Sequence, residues 1–271
     1  MNIRNTIIFL HIPRTGGTTF RDILERYYHS RNVIEIKNFI NTEKNIKNIT
    51  KERKSSIHLV KGHLNFGIHK WIDGPYKYIT FLRHPIKRTL STFKYIKNNI
   101  IHEDYNFIQS RSLYEYLESG NNLMLDNGMT RLLAGGEYTF NVPFGSVNEK
   151  HYEMATNNLD NHFAVTGITE RFNESILVLA NELNWKSPYY SIANKSNRMD
   201  LSIDIDELST IKKYYHFDMK LYNYANNLLD NKINQIKNFN SKLKRFNYNN
   251  KIIGRFFIGT RLRRMSNRIF N

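Results

Sequence analysis

"IIFLHIPRTGGTTFRDILERYY", residues 7 to 28, runs from an apolar segment through two glycines into an apolar stripe at helical spacing. Phe20, Ile23, Leu24, Tyr27 and Tyr28 fall at i, i+3, i+4, i+7 and i+8, one face of an amphipathic helix. The stretch therefore predicts a buried strand over 6 to 12, a tight turn and a helix, the layout of a phosphate-binding loop. Gly16 and Gly17 let the backbone curl close to an anion. The amides of Gly17, Thr18 and Thr19 would face that anion from a helix N-terminus, where the helix dipole favours negative charge. Arg14 adds a cation, and the Thr18 and Thr19 hydroxyls add donors. The Gly-Lys-Ser/Thr ending of nucleoside triphosphatases is missing. An ordinary strand-to-helix turn capped by a threonine satisfies the same pattern.

Outward from this loop the chain alternates strands and helices. "NVIEI" (32 to 36), "SIHLVKGH" (56 to 63), "YKYITFLR" (76 to 83) and "HFAVTGI" (162 to 168) read as strands. Residues 38 to 56 are polar and rich in Lys and Asn, a surface helix or loop. "HPIKRTLSTFKYIKNN" follows the third strand with Pro85 in the first helical turn, where proline is tolerated, and Ile86, Leu90, Phe93 and Lys97 keep the helical period. "SLYEYLESG" carries Ser112 and Glu115 at capping-box spacing. A Gly-rich loop follows it. "TERFNESILVLANELNW" and a long segment from about Asp218, with Leu221, Tyr224 and Leu228 on one face, complete the helices. Strands alternating with helices imply an α/β fold: a P-loop-like, three-layer arrangement with a central parallel sheet and helices on both faces.

The 271 residues are 40% hydrophobic and 13% aromatic, enough for a substantial core. No apolar run approaches the roughly 18 to 20 residues that span a bilayer. The chain enters a strand almost at once, leaving no room for a signal peptide, and it has no cysteine for disulfides or thiolate metal sites. The expectation is a cytoplasmic protein. Its formal charge of +16 is uneven: residues 232 to 271 hold 11 Lys or Arg and no acid, leaving 29 basic and 24 acidic residues before them. No repeat or Pro/Ser-rich linker divides the chain. The reading is one domain over 1 to 231 and a basic amphipathic extension over 232 to 271. Ile252, Phe256, Met265 and Ile269 can share one face of that extension, which would suit an anionic membrane surface or an acidic polymer. The same face could instead pack on the domain.

Parallel α/β sheets bind ligands at the carboxyl ends of their strands. Three such ends carry functional residue types: "HIPRTGGTTF", "KGH" and "FLRHP". Arg83 ends a strand and Ser91 lies in the helix after it, a fork and a hydroxyl suited to a second phosphate. A structural salt bridge for Arg83 and a neutral serine are the plainer readings. His63 follows Gly62 at another strand end and titrates in the range a general base needs. A satisfied strand-end histidine is its plainer reading. Lys61 could supply a cation near the reacting group, with a solvated lysine as its plainer reading, and His11 and His84 read as structural or supporting residues.

Together these segments resemble the carbohydrate sulfotransferases, nearest the heparan sulfate 6-O-sulfotransferase branch and its bacterial relatives. "HIPRTGGTTF" is similar to that family's 5′-phosphosulfate loop and "FLRHPIKRTLSTF" to its 3′-phosphate motif. The likeness continues in order through "DNGMTRLLAG", "FAVTGITERFNESI" and "FDMKLYNYANNLL", spanning residue 6 to about 230. The resemblance implies the donor 3′-phosphoadenosine 5′-phosphosulfate (PAPS), released as 3′-phosphoadenosine 5′-phosphate (PAP), with no metal. It places the donor on Arg14, Thr15, Gly16, Gly17, Thr18, Thr19, Arg83 and Ser91. His63 and Arg14 become the catalytic residues, and His69, Asn127, Thr130 and Arg131 the acceptor contacts. Thr169 and Arg171 would rest near the base or ribose. Arg14 departs from the family's usual Lys, preserving charge but not geometry.

The expected partner is a carbohydrate hydroxyl on an oligosaccharide, polysaccharide or glycolipid, with an anionic membrane surface met through the tail and no nucleic acid. That would put the protein peripherally on the inner face of the membrane. Two other readings compete: a P-loop kinase using ATP and Mg²⁺, and a non-catalytic binder of anionic polymer driven by the tail. The first lacks its lysine. The second predicts steeply salt-dependent binding but does not account for the loop, Arg83 and His63 together.

Overall fold

The opening stretch folds as its pattern requires: Thr6–Leu10 form β1 and Gly17–Tyr27 form α1. The computed structural model describes residues 5–37, 39, 46–136, 139–191 and 212–253. After α1 come β2 (Val33–Ile36), α2 (Lys51–Ser55), β3 (Leu59–Gly62), β4 (Tyr76–Leu82) and α3 (Pro85–Lys97). Then follow α4 (Tyr105–Ile108), α5 (Leu113–Glu118), α6 (Gly128–Ala134), α7 (Glu149–His162) and β5 (Phe163–Ile168). The described chain closes with α8 (Phe172–Glu182), α9 (His216–Asn234) and α10 (Phe239–Ile253).

The five strands make one sheet in the order β2-β3-β1-β4-β5, with every pair parallel. All residues of β1 and β5 are buried. Successive side chains point to opposite faces, so helices must cover both sides of the sheet. The register sets Leu10 beside Gly62 and Thr80, and Leu82 beside Ile168. His11, His63, Arg83 and Thr169 therefore all emerge at one end of the sheet.

Local chemistry explains the helix starts. Pro85 opens α3 at its first position, and Ser112 and Glu115 complete the capping box of α5. The sequence gives little sign of α7, because its buried positions are His151, Ala155, Asn158 and Leu159, not an aliphatic stripe. His151 holds its start by accepting from the Asn148 amide at 3.1 Å. A second, smaller apolar cluster joins Phe93 and Ile96 of α3 to Leu113, Tyr116 and Leu117 of α5.

The expected boundary at residue 231 falls inside a helix. The helix α9 runs straight through it, and α10 buries Phe239 and Phe246 in the main core. Phe246 stacks on Tyr189 at 5.5 Å, and the Asn250 side chain accepts from the Tyr190 amide at 2.7 Å. Apolar rings and paired amides bind this basic segment to the body despite its charge. Phe256, Met265 and Ile269 of the expected amphipathic face lie outside the described residues.

Candidate active site

The loop between β1 and α1 is shaped by two left-handed residues, Arg14 at φ 69° and Gly16 at φ 81°. The Thr15 hydroxyl donates to the Ile12 carbonyl at 2.8 Å, and the Thr15 carbonyl oxygen lies 2.8 Å from the Thr169 hydroxyl. Thr15 is fully buried, so its part is to brace the loop from within. Gly17 is required by crowding: a Cβ there would lie 1.9 Å from Nε2 of His11. Helix α1 starts with no side-chain cap and no acid in its first turn. Its first amides, those of Gly17, Thr18 and Thr19, have no intrahelical acceptor. Thr18 is half-buried beside them, whereas Thr19 is buried.

Two arginines converge on this loop. Arg14 donates from Nε to the Ser91 hydroxyl at 3.0 Å and lays its guanidinium 4.9 Å from the centre of the Tyr95 ring. Arg83 donates to the carbonyl of Arg14 at 2.9 Å. Burial holds both guanidiniums below the ordinary arginine range, and the charge of Arg83 lowers Arg14 further. Among the described residues, neither has a carboxylate at ion-pair distance. The nearby acid Glu170 instead accepts from the His84 amide at 3.2 Å. Glu170 offsets part of the effect at Arg83, but two half-buried like charges with no carboxylate at ion-pair distance are suited to an anion. The loop, Arg14, Arg83 and Ser91 are thus brought together from β1, β4 and α3.

His63 stands on the other side of the loop. Its Nδ1 lies 3.2 Å from the carbonyl oxygen of His11, and its ring stacks on that of His11 at 4.7 Å. A carbonyl only accepts, so Nδ1 carries the proton and Nε2 carries the free lone pair. Burial holds the His63 pKa below its ordinary value, opposed by the His11 carbonyl bond and by Glu35. Gly62 allows this corner, since a Cβ at its φ of 137° would lie 1.9 Å from the Ile36 carbonyl oxygen. Lys61 is not solvated: it is 2% exposed and donates to Glu25 at 2.6 Å, with Glu35 at 3.6 Å. Phe39 packs near His63 at 5.7 Å and meets Phe140 edge-on at 5.5 Å.

Four residues expected at the acceptor lie elsewhere or are bonded within the protein. His69 lies at the amino ends of β4 and β5, away from the loop, stacked on Tyr76 at 4.5 Å and His162 at 5.1 Å. Its Nδ1 is 3.1 Å from the Tyr78 hydroxyl, and burial pushes its pKa down to about 4. Asn127, Thr130 and Arg131 are buried and internally bonded. The Asn127 side-chain oxygen accepts from the amides of Phe217 and Asp218 at 2.8 and 3.0 Å, fixing the start of α9. Thr130 donates from its amide and hydroxyl to Asp218 at 2.8 and 2.9 Å. Arg131 pairs with Asp126 and donates to the carbonyls of Val142 and Pro143. Buried polar groups must be paired, and these have spent their capacity on the protein, not on a substrate. Arg171 is likewise committed to Glu174 and Asp230, each at 2.6 Å.

The residues missed in the sequence are Arg88, Asp126 and Asp218. Asp218 is fully buried, accepts from Met129 and Thr130 and faces Arg88 at 3.5 Å. Its signal was available: it shares the stripe of Leu221, Ala225 and Leu229 on α9, as Arg88 shares that of Thr89, Phe93 and Ile96 on α3. A charge on a buried stripe asks for a buried partner.

Among the described residues no group of three or more His, Cys, Asp or Glu is placed to hold a metal. No described helix is long and apolar enough to cross a membrane.

The family model described as "Sulfotransferase family" matches residues 1–225. None of the curated proteins matches the chain. Sixteen chains of solved structures match, among them mouse sulfotransferase SULT7A1 complexed with PAP. That match has 14% identity and a TM-score of 0.39, covering 80% of this chain and 66% of the mouse chain.

Proposed function

Since the chain belongs to the sulfotransferase family, we propose that it moves a sulfuryl group from PAPS to a carbohydrate hydroxyl, with His63 as general base. The observation that carries the reading is the pair Arg14 and Arg83, half-buried without carboxylate partners beside an uncapped helix start. Those features fit a ligand with two phosphate groups. The loop amides and the Thr18 hydroxyl would hold the 5′-phosphosulfate end, and Arg83 and Ser91 the 3′-phosphate. Gly16 and Gly17 let that backbone approach closely, and Thr15 and Thr19 brace it from within. PAPS, when bound, supplies the activated sulfuryl group.

The protein's own part is positioning, proton removal and charge stabilisation. His63 presents the lone pair of Nε2 and takes the proton of the acceptor hydroxyl. Arg14 adds positive charge at the loop, where negative charge builds as the sulfuryl group leaves. Its bond to Ser91 ties the loop to α3, a geometry that a lysine would not reproduce. The likeness to the heparan sulfate 6-O branch supports a sugar as acceptor. So does the pair Phe39 and Phe140 near His63, an apolar surface against which the C–H face of a pyranose can pack. The basic residues beyond 231 would favour an anionic polymer or membrane surface.

A thermal-shift titration tests the donor. A ligand that binds only the folded state stabilises by about 2.7 kcal/mol at a hundredfold its dissociation constant. PAP should raise Tm, ATP with Mg²⁺ should not, and Arg83→Ala should abolish the PAP response. A response to ATP with Mg²⁺ alone would turn the reading toward a kinase.

A further inference from the structure

His11 neither anchors the donor's phosphates nor removes the acceptor's proton, yet it lies between the loop and the base. Its ring stacks on Phe9 at 5.3 Å and on His63 at 4.7 Å. Its Nε2 edge occupies the space that Gly17 leaves open, since a Cβ on Gly17 would lie 1.9 Å away. Phe9, His63 and Gly17 enclose most of the ring, and among the described residues its nitrogens have no hydrogen-bond partner. A polar edge without a partner, held at the start of α1, is placed to meet whatever the loop binds. Arg14, the other donor near this point, is drawn toward Ser91 and Tyr95.

We propose that His11 is a second catalytic histidine, whose Nε2–H donates to the leaving phosphate oxygen of the sulfuryl donor. The proposal rests on the sulfotransferase reading. In the transfer, the acceptor oxygen bonds to sulfur while the bond from sulfur to the bridging phosphate oxygen breaks. The bond pair stays on that phosphate oxygen, and the acceptor's proton passes to Nε2 of His63. His11 gives a hydrogen bond to the developing charge and transfers no proton. Its surroundings favour that neutral role. Burial, with His63, Arg21, Lys61 and Arg14 nearby, pushes its pKa down to about 3, so the imidazole stays uncharged with one N–H to give. A neutral histidine acting as an electrophile beside a separate base is an established catalytic division of labour.

Ligand pairs separate this role from a structural one. PAP carries the 5′-phosphate, whereas adenosine 3′-phosphate lacks it. His11→Phe keeps a stacking ring and removes the N–H. It should weaken PAP about tenfold or more, the value of a hydrogen bond to a charged acceptor, and leave adenosine 3′-phosphate unchanged. Equal weakening of both ligands, or of neither, would overturn the proposal. Histidine ¹⁵N NMR of the wild type gives a second readout that needs no variant. On adding PAP, His11 Nε2 should take the shift of a protonated, hydrogen-bonded nitrogen in a neutral ring. A bare nitrogen there with PAP bound would overturn the assignment. A wild type that ignores PAP altogether would overturn the donor reading beneath it.

Discussion

The carbonyl oxygen of His11 decides the tautomer of His63, because it accepts at 3.2 Å and cannot donate. The lone pair of Nε2 is thereby kept free, and burial lowers the pKa so that the ring is neutral near neutral pH. Protonation removes the base, so kcat/KM should fall as pH drops through a limb below the ordinary histidine value of about 6.5, and stay flat above it. His63→Ala should lower turnover by about 10²- to 10⁴-fold while leaving the PAP-induced Tm shift in place. An alanine variant with full turnover would remove His63 from the mechanism. The residue type and the strand-end position made His63 a candidate base in the sequence. The hydrogen bond that orients it comes from a residue 52 positions earlier and has no sequence signature.

At the scale of elements, the loop was legible because its rules are local. Two glycines, an apolar run before them and a helical stripe after them permit few conformations. Position 62 is different. "KGH" marks a strand end, but only the β2–β3 pairing shows that the Ile36 carbonyl oxygen occupies the space of a Cβ. Gly62→Ala should therefore cost about 2–4 kcal/mol, from a disfavoured φ and a close contact with backbone. Urea unfolding measures it. A change under 0.5 kcal/mol would mean the corner relaxes freely. The helix α7 was hidden for the opposite reason, since its packing uses a His, an Asn and two small or medium apolar residues.

At the scale of the whole molecule, the buried carboxylate of Asp218 holds together three helices. It sits on α9, bonds the first turn of α6 and faces Arg88 of α3, the helix that also carries Ser91. Asp218→Asn leaves the Arg88 charge without its counterion and should destabilise by about 3–5 kcal/mol. The variant should also weaken PAP, because α3 loses its anchor; unchanged stability and affinity would refute that coupling. The body extends past residue 231 for a related reason. Ending the chain there removes Phe239 and Phe246, whose burial is worth about 3–6 kcal/mol together, so Tm should drop sharply.

The sequence by itself determined what depends on neighbours along the chain: the alternation of strands and helices, the glycine loop, the proline-led helix and the residue types at the strand ends. Those follow from periodicity, backbone freedom and helix-end chemistry, all acting over a few residues. Only the tertiary structure decided which polar residues remain available. Arg131 carries the same guanidinium as Arg14 and Arg83, and Asn127 and Thr130 are polar as well, but burial commits these three to Asp218, Asp126 and backbone groups. Arg14 and Arg83 meet at the loop, and among the described residues neither has a carboxylate at ion-pair distance. Whether a charge is spent or free depends on what the fold sets opposite it, and residues far apart in the chain supply that.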